Sequence, residues 1–249
     1  AVELSEAGAH YYPRCRELID QLDGLEAEVG GFGKRPRGTL RLSVPMDFGQ
    51  LFLRPAIREF LSRCPDMRIE VHFEDRHVRL LEEQLDVAIR ISRLPDSSLV
   101  SQKLGQACVG CYASPDYLAQ HGAPEHPAQL GDHHALEYAL SSHPGTWRFE
   151  AGEEAIVVPI RWQLSANNGR ALASAAVRGL GILRAPEFLV QDHLRDGSLL
   201  EVLQPYRSAP LDISAVYLHR RFKPAKISAF VEFLAEYFRR HDGWMPASA

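Results

Sequence analysis

The sequence predicts an α/β protein of two modules behind a leading helix. Three observations carry this. From Thr39 the apolar pattern switches repeatedly between period two and period 3.6, in the order strand, helix, strand, helix, strand. A second set of short strands and helices follows Ser114. One apolar stripe, Cys15, Leu18 or Ile19, Leu22, Leu25 and Val29, precedes both.

The leading helix is expected over Ser5–Val29, with Ser5 as its cap and Pro13 kinking its first turns. Its other face is charged (Arg14, Glu17, Asp20, Asp23, Glu28), so the stripe needs a partner, either a second copy of the chain or its own domain. Residues 30–38, rich in glycine, form a hinge.

In the first module, strands are expected over Thr39–Pro45, Met67–Phe73 and Asp86–Ile91, with helices over Phe48–Ser62 and Arg76–Gln84. Such alternation implies parallel strands with right-handed crossovers. Ligands in such sheets sit beyond the carboxyl ends of the strands. Those ends are Pro45-Met46-Asp47, Glu74-Asp75 and Ser92-Arg93.

Leu99–Gly105 and Cys108–Ala113 read as two further strands. Ser114-Pro115 opens a short helix, a cap residue followed by proline at the first helical position. Thr146–Phe149 and Ile156–Leu164 are strands, with Trp147 and Phe149 packing the second module. Asn167-Asn168-Gly169 opens a helix that runs through Val177 and ends at Gly179. Gly181–Leu183, Leu199–Leu203 and Leu211–Leu218 are strands, and Pro224–Arg240 closes the chain as an amphipathic helix.

Composition excludes several classes. The 249 residues are 45% hydrophobic and 24% charged, as in ordinary globular proteins. No apolar run approaches the roughly 20 residues of a membrane-spanning helix. The net charge of -4 argues against these residues forming a DNA-binding face, which must be basic. Four cysteines include one close pair, Cys108 and Cys111, whose side chains on a strand point to opposite faces, so a structural role in a reducing cytoplasm is expected. His72, His77, His133 and His134 complete no metal set, no Ser-His-Asp or Gly-x-Ser-x-Gly arrangement appears, and no cofactor motif is present.

The runs LSEAGAHYYPRCREL, GTLRLSVPMDFGQLFLRPAIREFLSRCPD, LLEEQLDVAIRISRLPDSSLVSQKL, YASPDYLAQHGAPEHPAQL, TWRF, ANNGRALASAAVRGLGI and AVYLHRRFKPAKISAFVEFL occur in order along nearly the whole chain. In that order and spacing the chain resembles the LysR-type transcriptional regulators, in their linker helix and effector-binding region. The resemblance implies two Rossmann-like lobes of type 2 periplasmic-binding-protein-like fold behind a dimerising helix. It divides the chain into residues 1–37 (end of a wing, and linker), 38–107 with 209–240 (lobe one), 108–208 (lobe two) and 241–249 (tail), with crossing strands near Ala107–Ala113 and Glu201–Tyr206. AVELSEAG reads as the tail of a longer chain whose winged helix-turn-helix reaches operator DNA. The implied partners are a small-molecule effector, held in a cleft between the lobes, and further copies in a dimer or tetramer; the implied setting is the cytoplasm. A transport-type solute-binding protein is the alternative on the same fold. An enzyme is disfavoured by the lack of a catalytic constellation.

The implied effector-binding residues are Ser43, Met46, Asp47, Phe48, Ser92, Arg93, Asn167, Asn168, Tyr217 and His219. Asp47 stands where the family often has Ser or Thr, and either caps the helix or meets an amine or hydroxyl of the effector. Ser92 stands where the family usually has Gly, and Arg93 either grips a carboxylate or joins a salt bridge. Asn167 and Asn168 either cap a helix or face the ligand, and Tyr217 is either core or cleft.

Overall fold

The computed structural model describes residues 5, 7–8, 11–12, 14–15, 18–19, 36–76, 78–92, 99–151, 154–218 and 224–241. Of the leading helix, the described residues from 7 to 19 are helical, and Ser5 Oγ accepts the Gly8 N–H at 3.2 Å. The rest of that helix, residues 30–35 of the hinge, Arg93, the 96–98 turn and His219 lie outside the described residues.

Two units emerge. The first contains β1 (Gly38–Val44), β2 (Met67–Phe73), β3 (Val87–Ile91) up to Arg90, the start of β4 (Leu99–Ala113), the end of β11 (Ser208–Leu218) and the helix Ala225–Arg240. The second takes Ile91 and Ser92 and runs from Gly105 to Ile213. The chain therefore passes between units inside β4, at Leu104–Gly105, and inside β11, at Ile213–Ser214.

In the first unit β1 pairs parallel with β2 in register from Gly38↔Met67 to Val44↔Phe73, and with β3 at Leu42↔Val87. Leu40, Leu42 and Val44 are fully buried, as the alternation requires. Residues 46–63 are helical in three successive stretches: α over Met46–Phe48, a π turn over Gly49–Leu53, and α over Arg54–Arg63. The closing helix covers this one through its phenylalanines. Phe60 meets Phe230 edge-on at 5.1 Å and Phe233 at 5.3 Å. Such pairs contribute about 0.5–1.5 kcal/mol each beyond burial.

The helix expected over Arg76–Gln84 is absent among the described residues: 80–84 are turns. Leu80 and Leu85 drop onto Ala88 and Val216, and the Leu85 N–H closes on the Leu80 carbonyl at 2.9 Å. Gln84 takes φ 54°, which ends any helix there. Local helix propensity yields to covering the sheet.

In the second unit β5 (His134–Tyr138) pairs parallel with β8 (Arg161–Ala166) and β9 (Ile182–Pro186), while β9 and β10 (Leu200–Val202) run antiparallel to β4. Two corrections apply. Leu99–Gly105 and Cys108–Ala113 are one strand, β4, because nothing between them breaks the pattern. Ile156–Leu164 is two strands, β7 (Glu154–Pro159) and β8, broken where Ile160 donates its N–H to the Gly145 carbonyl at 3.0 Å. β7 pairs instead with β6 (Thr146–Ala151) as a hairpin. That hairpin lays Trp147 and Phe149 on one face of the sheet with Cys111, Ala135 and Ile182. The helix Gly169–Val177 covers the other face, over Tyr112, Leu136 and Leu183. It ends at Gly179, whose φ of 77° is the left-handed stop that glycine adopts without strain.

Candidate functional site

The carboxyl tips of the parallel strands collect polar groups in each unit. In the first, β1 ends in Val44-Pro45 and turns straight into a helix. Pro45 is the cap residue and carries no side-chain cap; the cap comes from just past β2, where Asp75 Oδ1 accepts the Met46 N–H at 3.0 Å. Asp47 is therefore a first-turn residue and not the N-cap. The turn is tight. Gly49 donates to the Pro45 carbonyl at 2.8 Å, and a Cβ there would sit 2.5 Å from the Phe73 ring. Only glycine lets β2 and the helix approach this closely.

The electrostatics of the corner are acidic. Asp47 is 7% exposed. Burial pushes the Asp75 carboxyl above its usual range, the Met46 N–H pulls it back, and the Asp47 charge adds to the rise. Ser43, two residues back on β1, is buried and its Oγ has no hydrogen-bond partner. Phe48 lies in the core, fully buried against Phe52 at 5.4 Å and Phe238 at 5.7 Å, and so has no exposed surface to offer a ligand. A shallow cavity of about 240 Å³ lies farther along β2, lined by His72, Phe73, Glu74, Arg76, Glu83 and Leu85. It is walled by ion pairs: Arg76 bridges Glu74 and Glu83, and its guanidinium holds the Glu83 carboxyl down to about 2.

In the second unit, β5, β8 and β9 end at the same edge. Asn168 caps the helix Gly169–Val177, its Oδ1 accepting the Ala171 N–H at 2.9 Å, while Asn167 is exposed. Glu137, near the tip of β5, is 3% exposed and accepts the Gly145 N–H at 3.2 Å. Burial pushes its carboxyl up, against the pull of that N–H and of Arg184. Arg184 in turn donates to Ser208 Oγ at 2.6 Å and lies 5.9 Å from the Phe149 ring centre. Ser92 groups with this unit, its N–H on the Asp212 carbonyl at 3.0 Å. Tyr217 is buried on β11.

Sequence reasoning passed over Asp75, Glu137 and Arg184 as site residues. Glu74-Asp75 had been marked as a strand end, and that position was the available signal. Glu137 and Arg184 carry no local signature, since only the sheet pairing makes them neighbours.

No group of His, Cys, Asp and Glu able to hold a metal occurs among the described residues. All four cysteines are free, and burial pushes the Cys111 thiol up to about 12, which keeps it an inert thiol. No described helix is long and apolar enough to cross a membrane.

This architecture matches a known family. The LysR substrate binding domain matches residues 33–239. The chain belongs to the LysR-type transcriptional regulators. It is 36% identical over 224 residues to an HTH-type transcriptional regulator of Haemophilus influenzae, covering 90% of this chain and 78% of the relative. It is 30% identical over 241 residues to the HTH-type transcriptional regulator DmlR of Escherichia coli, covering 96% of this chain and 78% of the relative. Among solved structures it is similar to the full-length Vibrio cholerae virulence activator AphB, with TM-score 0.71, 30% identity, and coverage of 95% of this chain and 81% of that one. CrgA of Neisseria meningitidis gives TM-score 0.72 at 27% identity, covering 95% and 80%. The fold is that of LysR regulatory domains, type 2 periplasmic-binding-protein-like. The relatives are transcriptional regulators, which disfavours the solute-binding alternative.

Proposed function

We propose that this LysR-type chain is a metabolite sensor. Each unit contributes the polar tips of its parallel strands to effector recognition: Ser43, Met46 and Asp47 in the first, Ser92, Asn167 and Asn168 in the second. The observation that carries this is the concentration of polar groups, several buried, at strand tips where such sheets take ligands. Two carboxylates, Asp47 and Asp75, stand at the first corner, and Asp75 already occupies the Met46 N–H that an anion would use. That end therefore favours the amine or hydroxyl of an effector over its carboxylate. No nucleophile paired with a base accompanies these groups among the described residues, which favours binding without turnover.

On this reading the regulator works in the cytoplasm as a dimer or tetramer and reaches operator DNA through a winged helix-turn-helix outside this chain. Effector binding shifts the population of its DNA-binding states.

A thermal-shift screen of small carboxylates, phenols and amino acids tests it. A ligand at 100 times its dissociation constant adds about 2.7 kcal/mol of stability. The stabilisation should shrink in Asp47→Ala and in Asn167→Ala. A hit that stabilises both variants as strongly as the wild type would place the site elsewhere.

A further inference from the structure

Beside the short helix Pro115–His121, in the second unit, stands a group of side chains that the effector reading does not use. Tyr117 projects from this helix and is 1% exposed. Its hydroxyl accepts the His134 backbone N–H at 3.0 Å and lies 3.3 Å from His133 Nδ1. A phenol has one proton and an oxygen that accepts; taking the amide on the oxygen and giving the proton to Nδ1 satisfies every group of the cluster. In that arrangement His133 Nδ1 is bare and a neutral His133 carries its hydrogen on Nε2. His121 stacks flat on the Tyr117 ring, 4.3 Å away and 17° from parallel, and its Nδ1 donates to the Tyr117 carbonyl at 3.0 Å. Its ring also meets that of His134 at 6.4 Å. The titratable groups facing His133 are thus Tyr117 and His121 from the helix, Asp132 from the 3-10 turn Pro127–Asp132, and His134 from β5. Apolar Leu130 and Ala135 share the Tyr117 cluster.

We infer that Tyr117 and His133 form an acid-sensitive latch in which Nδ1 accepts the phenol proton: a proton on His133 Nδ1 removes that acceptor and leaves the His134 N–H as the phenol's remaining bond between the helix Pro115–His121 and the start of β5. Protonation turns the acceptor into a second donor facing the phenol, and adds a cation beside two other histidines with only Asp132 to balance it. Burial, then His121, hold the His133 imidazolium below its usual value, Asp132 opposes this, and His134 adds to the lowering. The sign follows. A histidine whose folded pKa is depressed contributes full stability above its unfolded value, about 6.5, and that stability is lost as pH falls below it toward the folded value. The latch is closed at neutral pH and loosens in acid. It stands independently of the effector reading.

The test compares thermal unfolding of the chain from pH 8 to pH 5.5 for the wild type and His133→Asn, whose amide oxygen stands near the Nδ1 position without titrating. The wild-type midpoint should fall relative to the variant by about 3 °C per pK unit of depression. Nitrogen NMR of the wild type, which needs no folded variant, should show His133 as the Nε2–H tautomer at pH 8, titrating below the usual value. Equal pH dependence of the two proteins, an Nδ1–H tautomer, or titration at or above the usual value would each overturn the latch.

Discussion

Asp75 is the residue on which the first unit's corner turns. Its carboxylate caps the helix start, yet burial and Asp47 both penalise its charge. The two effects separate by substitution. Asp75→Ala removes the acceptor and should cost about 1 kcal/mol, the usual value of a lost cap. Asp75→Asn keeps an acceptor oxygen and sheds the penalised charge, so it should cost less, as urea unfolding of the two variants would show. Because this carboxyl is raised in the fold, its protonated form adds stability that is fully present below its unfolded value and fades as pH rises through the folded one. The wild type should therefore lose stability relative to Asp75→Asn on going from pH 4 to pH 7. Tyr112 makes a different residue-scale case. Its ring is buried and its hydroxyl has no hydrogen-bond partner. Tyr112→Phe removes a stranded polar group and should leave stability unchanged or raise it by up to about 1 kcal/mol. A loss of 2 kcal/mol or more on denaturant unfolding would mean the hydroxyl is satisfied in solution.

At the scale of elements, much was legible and the failures share a cause. β2 was expected over Met67–Phe73 and occupies those residues, because its apolar alternation is local information. The helix after Asn167-Asn168-Gly169 was equally plain, with its cap, its alanine-rich face and its glycine stop. What local pattern could not show was which partner claims a segment. Residues 80–84 carry helical spacing but cap the sheet as turns, and Ile160 splits a continuous apolar run because Gly145 reaches its N–H. The corner after β1 raised the same question. A helix start was evident there, but Asp75 as its cap depends on β2 lying alongside. Lys226 shows how elements are pinned across distance. From the closing helix its Nζ donates to the Thr39 carbonyl at 2.9 Å and to Asp86 at 3.1 Å, and Asp86 also accepts the Arg41 N–H. Both ion-pair side chains are nearly buried, 11% and 6% exposed. Lys226→Ala leaves that carboxylate the Arg41 N–H but no counter-charge, and should cost about 3–5 kcal/mol on chemical unfolding. A loss under 1 kcal/mol would show that this ion pair does little to hold the closing helix.

For the molecule as a whole, the order of motifs was enough to place the chain among LysR-type regulators, and the match over residues 33–239 shows that membership. The candidate site was legible only in outline. Strand tips could be located, and the Asn168 cap was one of the two roles expected of it, but Phe48 proved to be core and the buried carboxylate of Glu137 came into view only with the sheet pairing assembled. A receptor built this way predicts saturable binding of one small molecule per chain, stronger for effectors that bring a hydrogen-bond donor to the Asp47–Asp75 corner. Isothermal titration calorimetry of the chain with the best hit from the thermal screen measures this most directly. The account predicts one site per chain, with affinity reduced at least about tenfold, or 1.4 kcal/mol, in both Asp47→Ala and Asn167→Ala. Binding with unchanged affinity in both variants, or at several weak sites per chain, would contradict it.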